Sequence, residues 1–207
     1  MMKTKKTKVE KPQDLSTQEK IKVAARAVFM QKGFAAARTR DIAEEAGINL
    51  ALLNYYFRSK QKLFEVVIQE KLGELFGVII PILNNPQTSL EEKLEQVTAN
   101  YISTLLENPY LPSFVLDEVK KGHFEFFPKI NPVKLITQSP FVQQLKEKRK
   151  DIDPVQFLVT LLGMIIFPFV AKPLLNKIGL VNDKTFQTLM TERKQLIPVW
   201  MKTILES

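Results

Sequence analysis

Five side chains suited to holding phosphate, Arg38, Thr39, Arg40, Arg58 and Lys60, bracket the stretch INLALLNYYF from Ile48 to Phe57. Guanidinium and ammonium groups pair with phosphate oxygens, and a hydroxyl adds a neutral hydrogen bond. The bracketed stretch carries no charge. On a helix its residues fall about 100° apart, so with Leu53 at zero Phe57 lies about 40° away and Leu50 about 60°. Those three make an inward stripe. Ala51 and Tyr55 then face outward, Leu52 and Asn54 flank them, and Tyr56 sits at the edge of the stripe. A merely solvated face would carry lysine and glutamate. One made of Ala51, Leu52, Asn54 and Tyr55 suits base edges, where apolar groups meet the thymine methyl and Asn54 can pair with adenine.

Bond-making chemistry finds few residues to work with. Cysteine is absent and His123 is the single histidine. Disulfides, cysteine nucleophiles and multi-histidine metal sites within one chain are therefore excluded. No glycine-rich phosphate loop, nucleophile elbow or paired-carboxylate spacing occurs, so the chain reads as a non-enzyme without catalytic residue, metal or cofactor. The lack of cysteine fits a reducing, cytoplasmic setting.

Hydrophobic residues make up 45% and charged residues 25% of the chain, an ordinary globular balance. The net charge of +8 is unevenly placed: up to Lys62 fourteen bases stand against six acids, and beyond it sixteen of each cancel. That asymmetry implies a polyanion-binding head joined to a neutral body.

The elements that must position these groups are helices. Alternating strand patterns and Asn-Gly or Asp-Gly hairpin signals are missing, so the chain is expected to be all-α. Residues 1–14, lysine-rich and without a signal-peptide apolar run, read as a disordered solvated tail or as a basic arm adding phosphate contacts. Ser16 or Thr17 can cap a helix with Ile21, Ala24, Ala25, Val28 and Phe29 on one face, ended by Gly33. Thr39 can cap a short second helix with Ile42, Ala43 and Ala46 inward, stopped by Gly47, and Asn49 can cap a third. Residues 15–62 thus form an N-terminal three-helix domain with helix-turn-helix order.

Residues 63–207 should form a C-terminal helical bundle. Its helices are expected from near Ser59 towards Pro81, from a Ser89/Glu92 capping box through Leu105, and over Ser113 to Lys121. Two longer ones follow, from about Asp153 to Leu175 and from Asp183 to Leu205, which Pro168 and Pro198 should bend or locally break. Gly122 to Pro140 reads as irregular and aromatic. Val155 to Ala171 carries no charge. It is shorter than the roughly 20 residues of a membrane span and closed by Asp153 and Lys172, which favours a buried helix or one between two protomers.

The segment TRDIAEEAGINLALLNYYFRSKQKLF, Thr39 to Phe64, resembles the DNA-binding domain of the TetR family of bacterial transcriptional regulators. AARAVFMQKGFAAA, Ala24 to Ala37, is similar to that family's first helix and its glycine–aromatic ending. The resemblance implies phosphate contacts from Thr39, Tyr56 and Lys60, and base or groove contacts from Arg40, Leu50, Ala51 and Tyr55. Arg38, Asn49 and Asn54 complete the candidate DNA-binding set. Asn54 stands where the family usually has a tyrosine, and Leu52 where threonine or serine is common.

The resemblance further implies a repressor that binds a palindromic operator as a dimer and is released by a small apolar or amphipathic ligand. The body would hold the ligand cavity, and the last two helices would build the homodimer. A helix without a polar face supports that second point on its own, since a lone protomer would expose it. The helix after Ser59 joins both domains and is the natural lever. Candidate cavity residues are Tyr101, Phe114, His123, Phe124, Phe126, Phe127 and Phe141, with plain core packing the alternative for each and a surface or capped role for His123. Two rivals stand beside this reading: a membrane-associated basic protein using the lysine tail and the apolar segment, and a packaging protein without sequence preference.

Overall fold

A computed structural model of the chain describes residues 16–120 and 138–206. All regular structure among the described residues is α-helical. They divide into two compact units, one up to Leu63 and one from Phe64 onward.

The first unit holds α1 (Thr17–Ala36), α2 (Thr39–Glu45) and α3 (Leu50–Tyr56). Ser16 caps α1, its hydroxyl accepting the Glu19 N–H at 3.3 Å. Ile21, Ala24, Ala25, Val28 and Phe29 make the buried face, at the expected spacing. Gly33 interrupts the helix at φ +73°, a backbone state that favours glycine. One cap differs from expectation. Thr39 is the first residue of α2 and the cap position belongs to Arg38. A guanidinium has no acceptor, so the Asp41 carboxylate closes this end from inside, taking the Arg38 N–H at 3.1 Å.

The chain leaves this unit along α4 (Lys60–Asn84), and the second unit continues with α5 (Leu90–Glu107), α6 (Leu111–Lys120), α7 (Pro140–Lys148), α8 (Pro154–Lys177) and α9 (Asp183–Glu206). α9 packs along α5, which also meets α7 and α8, while α6 lies on α8. Leu94, Ile102, Leu105, Leu161, Ile165, Met190, Ile197 and Met201 fill the core between them. The Ser89/Glu92 capping box forms: the Glu92 N–H reaches Ser89 Oγ at 3.2 Å and the Ser89 N–H reaches Glu92 Oε2 at 2.7 Å.

Several boundaries differ from the sequence reading. α6 starts two residues early, because Pro112 is tolerated in a first turn. α7 was not expected; Ser139 caps it and Pro140 opens it, a Ser-Pro start ahead of Phe141, Val142 and Leu145. The prolines do not break their helices: α4 runs through Pro81, α8 through Pro168 and Pro173, and α9 through Pro198. At Pro168 the reason is visible. Lacking an N–H, it leaves the Met164 carbonyl without its helical partner, and Arg193 of α9 donates Nη2 to that oxygen at 2.8 Å.

α8 is apolar all round. Phe157, Leu161, Ile165 and Phe169 are buried, whereas Val155, Val159, Phe167 and Leu174 are exposed. By length and composition it is able to cross a membrane, with mean hydropathy 2.1 and 22% of that window buried. One buried cation belongs to the α5–α7 contact. Lys93, fully covered, donates to Thr88 O at 2.5 Å and Gln144 Oε1 at 2.9 Å, and burial pushes its ammonium down from the usual lysine range.

Candidate nucleic-acid interface

The turn between α2 and α3 is built from local hydrogen bonds. The Ile48 N–H reaches Ala43 O at 2.9 Å and the Gly47 N–H reaches Glu44 O at 3.0 Å, with Gly47 at φ +65°. This is the glycine-closed helix end that turns the chain sharply. Asn49 then caps α3, its Oδ1 accepting the Leu52 N–H at 2.7 Å. Its Nδ2 makes no hydrogen bond among the described residues. Leu53 and Phe57 seat the helix, at 0% and 4% exposure.

The opposite face points outward. Tyr55 is 79% exposed and Tyr56 40%, their rings edge to face at 5.3 Å. Ala51 and Asn54 are exposed beside them. Leu50, placed in the inward stripe by the helical projection, is only half-buried, flanking Leu52 is half-buried too, and Tyr56 at the stripe edge is partly covered. α3 ends at Tyr56, and Phe57 is already extended at φ −132°, ψ 103°. Phe57 is therefore buried by leaving the helix, and the projection does not reach it.

Around this ridge the charge is arranged to stay positive. Arg38, Arg40 and Arg58 are exposed, Thr39 is half-buried, and Arg40 and Arg58 make no ion pair among the described residues. The acid nearest the start of α2 is neutralised inside the fold: Lys32 Nζ lies 3.0 Å from Asp41 Oδ2. The Lys32 hydrogen bond first, then the Arg38 N–H, hold the Asp41 carboxyl below the usual carboxylate range. Lys60 is placed differently from the arginines. Its half-buried Nζ donates to Phe34 O at 2.8 Å and Ala37 O at 3.0 Å and lies 4.4 Å from the Phe34 ring centroid.

The body separates the cavity candidates. Tyr101 lines a small apolar cavity of about 90 Å³ with Leu72, Phe76, Leu105, Val115 and Ile166, and burial pushes its phenol up to about 12. Phe114 and Phe141 do not line it. Phe114 packs edge-on against Phe64 at 4.4 Å and Phe141 against Phe157 at 6.1 Å, so both are core. His123, Phe124, Phe126 and Phe127 lie outside the described residues, as does the basic tail 1–14. The sequence reading also missed an open groove of about 640 Å³ between α5 and α9, with Glu91, Glu95, Lys194 and Lys202 on its walls. Among the described residues no cluster of His, Asp or Glu is placed to hold a metal ion.

Against known proteins, residues 21–67 match the family model described as bacterial regulatory proteins, tetR family. Over 106 residues the chain is 33% identical to the probable HTH-type transcriptional regulator YttP of Bacillus subtilis, covering 51% of each chain. Over 80 residues it is 34% identical to the HTH-type transcriptional repressor KstR2 of Mycolicibacterium smegmatis, covering 39% of each. The chain thus spans about half the length, or less, of these curated relatives. Its fold is similar to that of the fatty acid degradation regulator FadR from Bacillus halodurans, at TM-score 0.59 and 20% identity over 92% of this chain and 96% of that one. A FadR from Bacillus subtilis, solved in complex with stearoyl-CoA, aligns at TM-score 0.58 and 17% identity over 91% and 95%.

Proposed function

We propose that the chain, whose residues 21–67 match the TetR family model, represses transcription by binding duplex DNA through α3. One observation carries this reading: a short helix anchored by Leu53 presents Tyr55, Ala51 and Asn54 to solvent without a charge among them. A tyrosine 79% exposed on such a ridge is not part of the core, and its neighbours suit the major groove. Arg38, Thr39 and Tyr56 serve phosphates, Arg40 and Leu50 border the groove, and the amide of Asn49 is a further donor.

We assign the exposed apolar residues of α8 and α9, Val159, Phe167, Val199 and Trp200 among them, to contact with a second copy. Two α3 helices held about 34 Å apart then enter successive major grooves of a palindromic site. The effector we propose is an apolar or amphipathic small molecule taken up beside Tyr101. Apolar lining supports this, as does the stearoyl-CoA held by the Bacillus subtilis FadR. At about 90 Å³ the cavity is below the roughly 300 Å³ of ordinary ligand sites. The ligand would therefore select a more open body and, through α4, a state with lower DNA affinity.

Selection of bound fragments from random duplex DNA tests the reading. A palindromic consensus is the expected result. Tyr55→Ala should then weaken the selected duplex about 5- to 100-fold, as loss of one base contact does, and a shuffled duplex far less. Equal losses on both would refute the base-reading role.

A further inference from the structure

We infer that Lys60 is a positioning residue for α3, a clasp on the end of α1, and does not serve as a phosphate contact. This rests on the DNA-binding reading and deepens it. An ammonium has three N–H bonds in a tetrahedral array. Phe34 O at 2.8 Å and Ala37 O at 3.0 Å take two of them, and the face of the Phe34 ring, 4.4 Å from Nζ, covers another side. The fourth direction is occupied by its own Cε. Two N–H bonds and one further side of this half-buried charge are thus turned to the end of α1.

The oxygens it holds are the right kind. They follow Gly33, whose φ of +73° interrupts α1, and a helix end presents unpaired carbonyls and the negative end of the dipole. Lys60 is also the first residue of α4, where a cation opposes that helix's own dipole. The α1 carbonyls offset this cost. The clasp joins Lys60 to positions 23 and 26 residues upstream, so it closes a loop that contains all of α2 and α3. Arg40, Ala51 and Tyr55 lie inside that loop. Their presentation to a groove depends on the clasp, while the number of phosphates neutralised does not.

The test uses the full chain, a duplex it selects from a random-sequence pool, and a shuffled duplex of the same length. Lys60→Met keeps the stem and removes the charge; Phe34→Leu removes the ring and leaves every charge. Each variant should weaken the selected duplex about tenfold or more, the scale of one good base contact. The shuffled duplex should weaken less than about twofold, and the slope of log K against log salt should not change. A slope smaller by about 0.9 for Lys60→Met, the signature of one lost phosphate contact, would overturn the inference. So would wild-type behaviour of Phe34→Leu. Urea unfolding of wild type, both single variants and the double variant tests the clasp without DNA. Non-additive losses support it and additive losses overturn it. A wild-type chain that prefers no duplex sinks the regulator reading alone, because the unfolding cycle still decides the clasp.

Discussion

Arg193→Met should destabilise the helical body by about 1–2 kcal/mol, and Pro168→Ala should remove most of that loss. Pro168 leaves the Met164 carbonyl orphaned, and Arg193 Nη2 satisfies it at 2.8 Å. A hydrogen bond from a charged donor contributes about 1.5–3 kcal/mol. Stacking of the guanidinium on Trp200, at 5.1 Å, adds about 0.5–1 kcal/mol. Burial works the other way: it lowers the guanidinium pKa, and Nε is buried without a partner among the described residues. Such a group costs about 1–3 kcal/mol, which brings the net to about 1–2 kcal/mol. Methionine keeps the length and apolar stem, so little cavity is opened. Pro168→Ala restores an N–H to the helix and supplies Met164 O from within α8, making the Arg193 donor redundant. Urea unfolding of wild type, the two single variants and the double variant, all at one protein concentration because association shifts apparent stability, gives the coupling. It should be about 1 kcal/mol. If Arg193→Met costs the same in both backgrounds, the proline has nothing to do with the arginine and the reasoning fails.

Asp151, held at about 2 by the two hydrogen bonds it accepts from Arg149, has a folded pKa below its ordinary 3.8. Its contribution is present above 3.8 and lost as pH falls through about 2, so the thermal midpoints of wild type and Asp151→Asn should differ at pH 6 and converge near pH 2. Lys93 has a linkage of the same sign at the other end of the pH scale: burial lowers its folded pKa from 10.5, and the unfolded chain again binds more protons. Wild type should therefore gain stability relative to Lys93→Met as pH rises from the folded pKa towards 10.5, and a constant difference from pH 7 to 10.5 would refute this. Val159, 60% exposed on α8, takes a charge in Val159→Glu; sedimentation velocity should show a shift from dimer to monomer, and an unchanged dimer would remove α8 from the interface.

What the sequence discloses here depends on how far away the deciding partner lies. The turn before α3 is legible because Gly47 and Asn49 act on N–H and C=O groups within a few positions. The outward ridge is legible because the missing charge is a property of Ala51, Asn54 and Tyr55 themselves. Lys60 is the counter-example. Its residue type and its place after the ridge suit a phosphate, but its partners come from the end of α1 and include a backbone oxygen that no residue type advertises. Pro168 is similar: the local rule says the helix should bend or break, and the donor that meets its orphaned carbonyl arrives from another helix. Thr39 was a plausible cap, and Asp41 displaced it from inside the helix by a bond to the Arg38 N–H. For the cavity, periodicity places Phe114 and Phe141 on inward faces, but an inward face meets either a neighbour or a void. Both phenylalanines met aromatic neighbours, leaving the void to Tyr101, Phe76 and aliphatic side chains. Local backbone chemistry can therefore be read along the chain, whereas a charge or an aromatic ring acquires its role only from the element that packs against it.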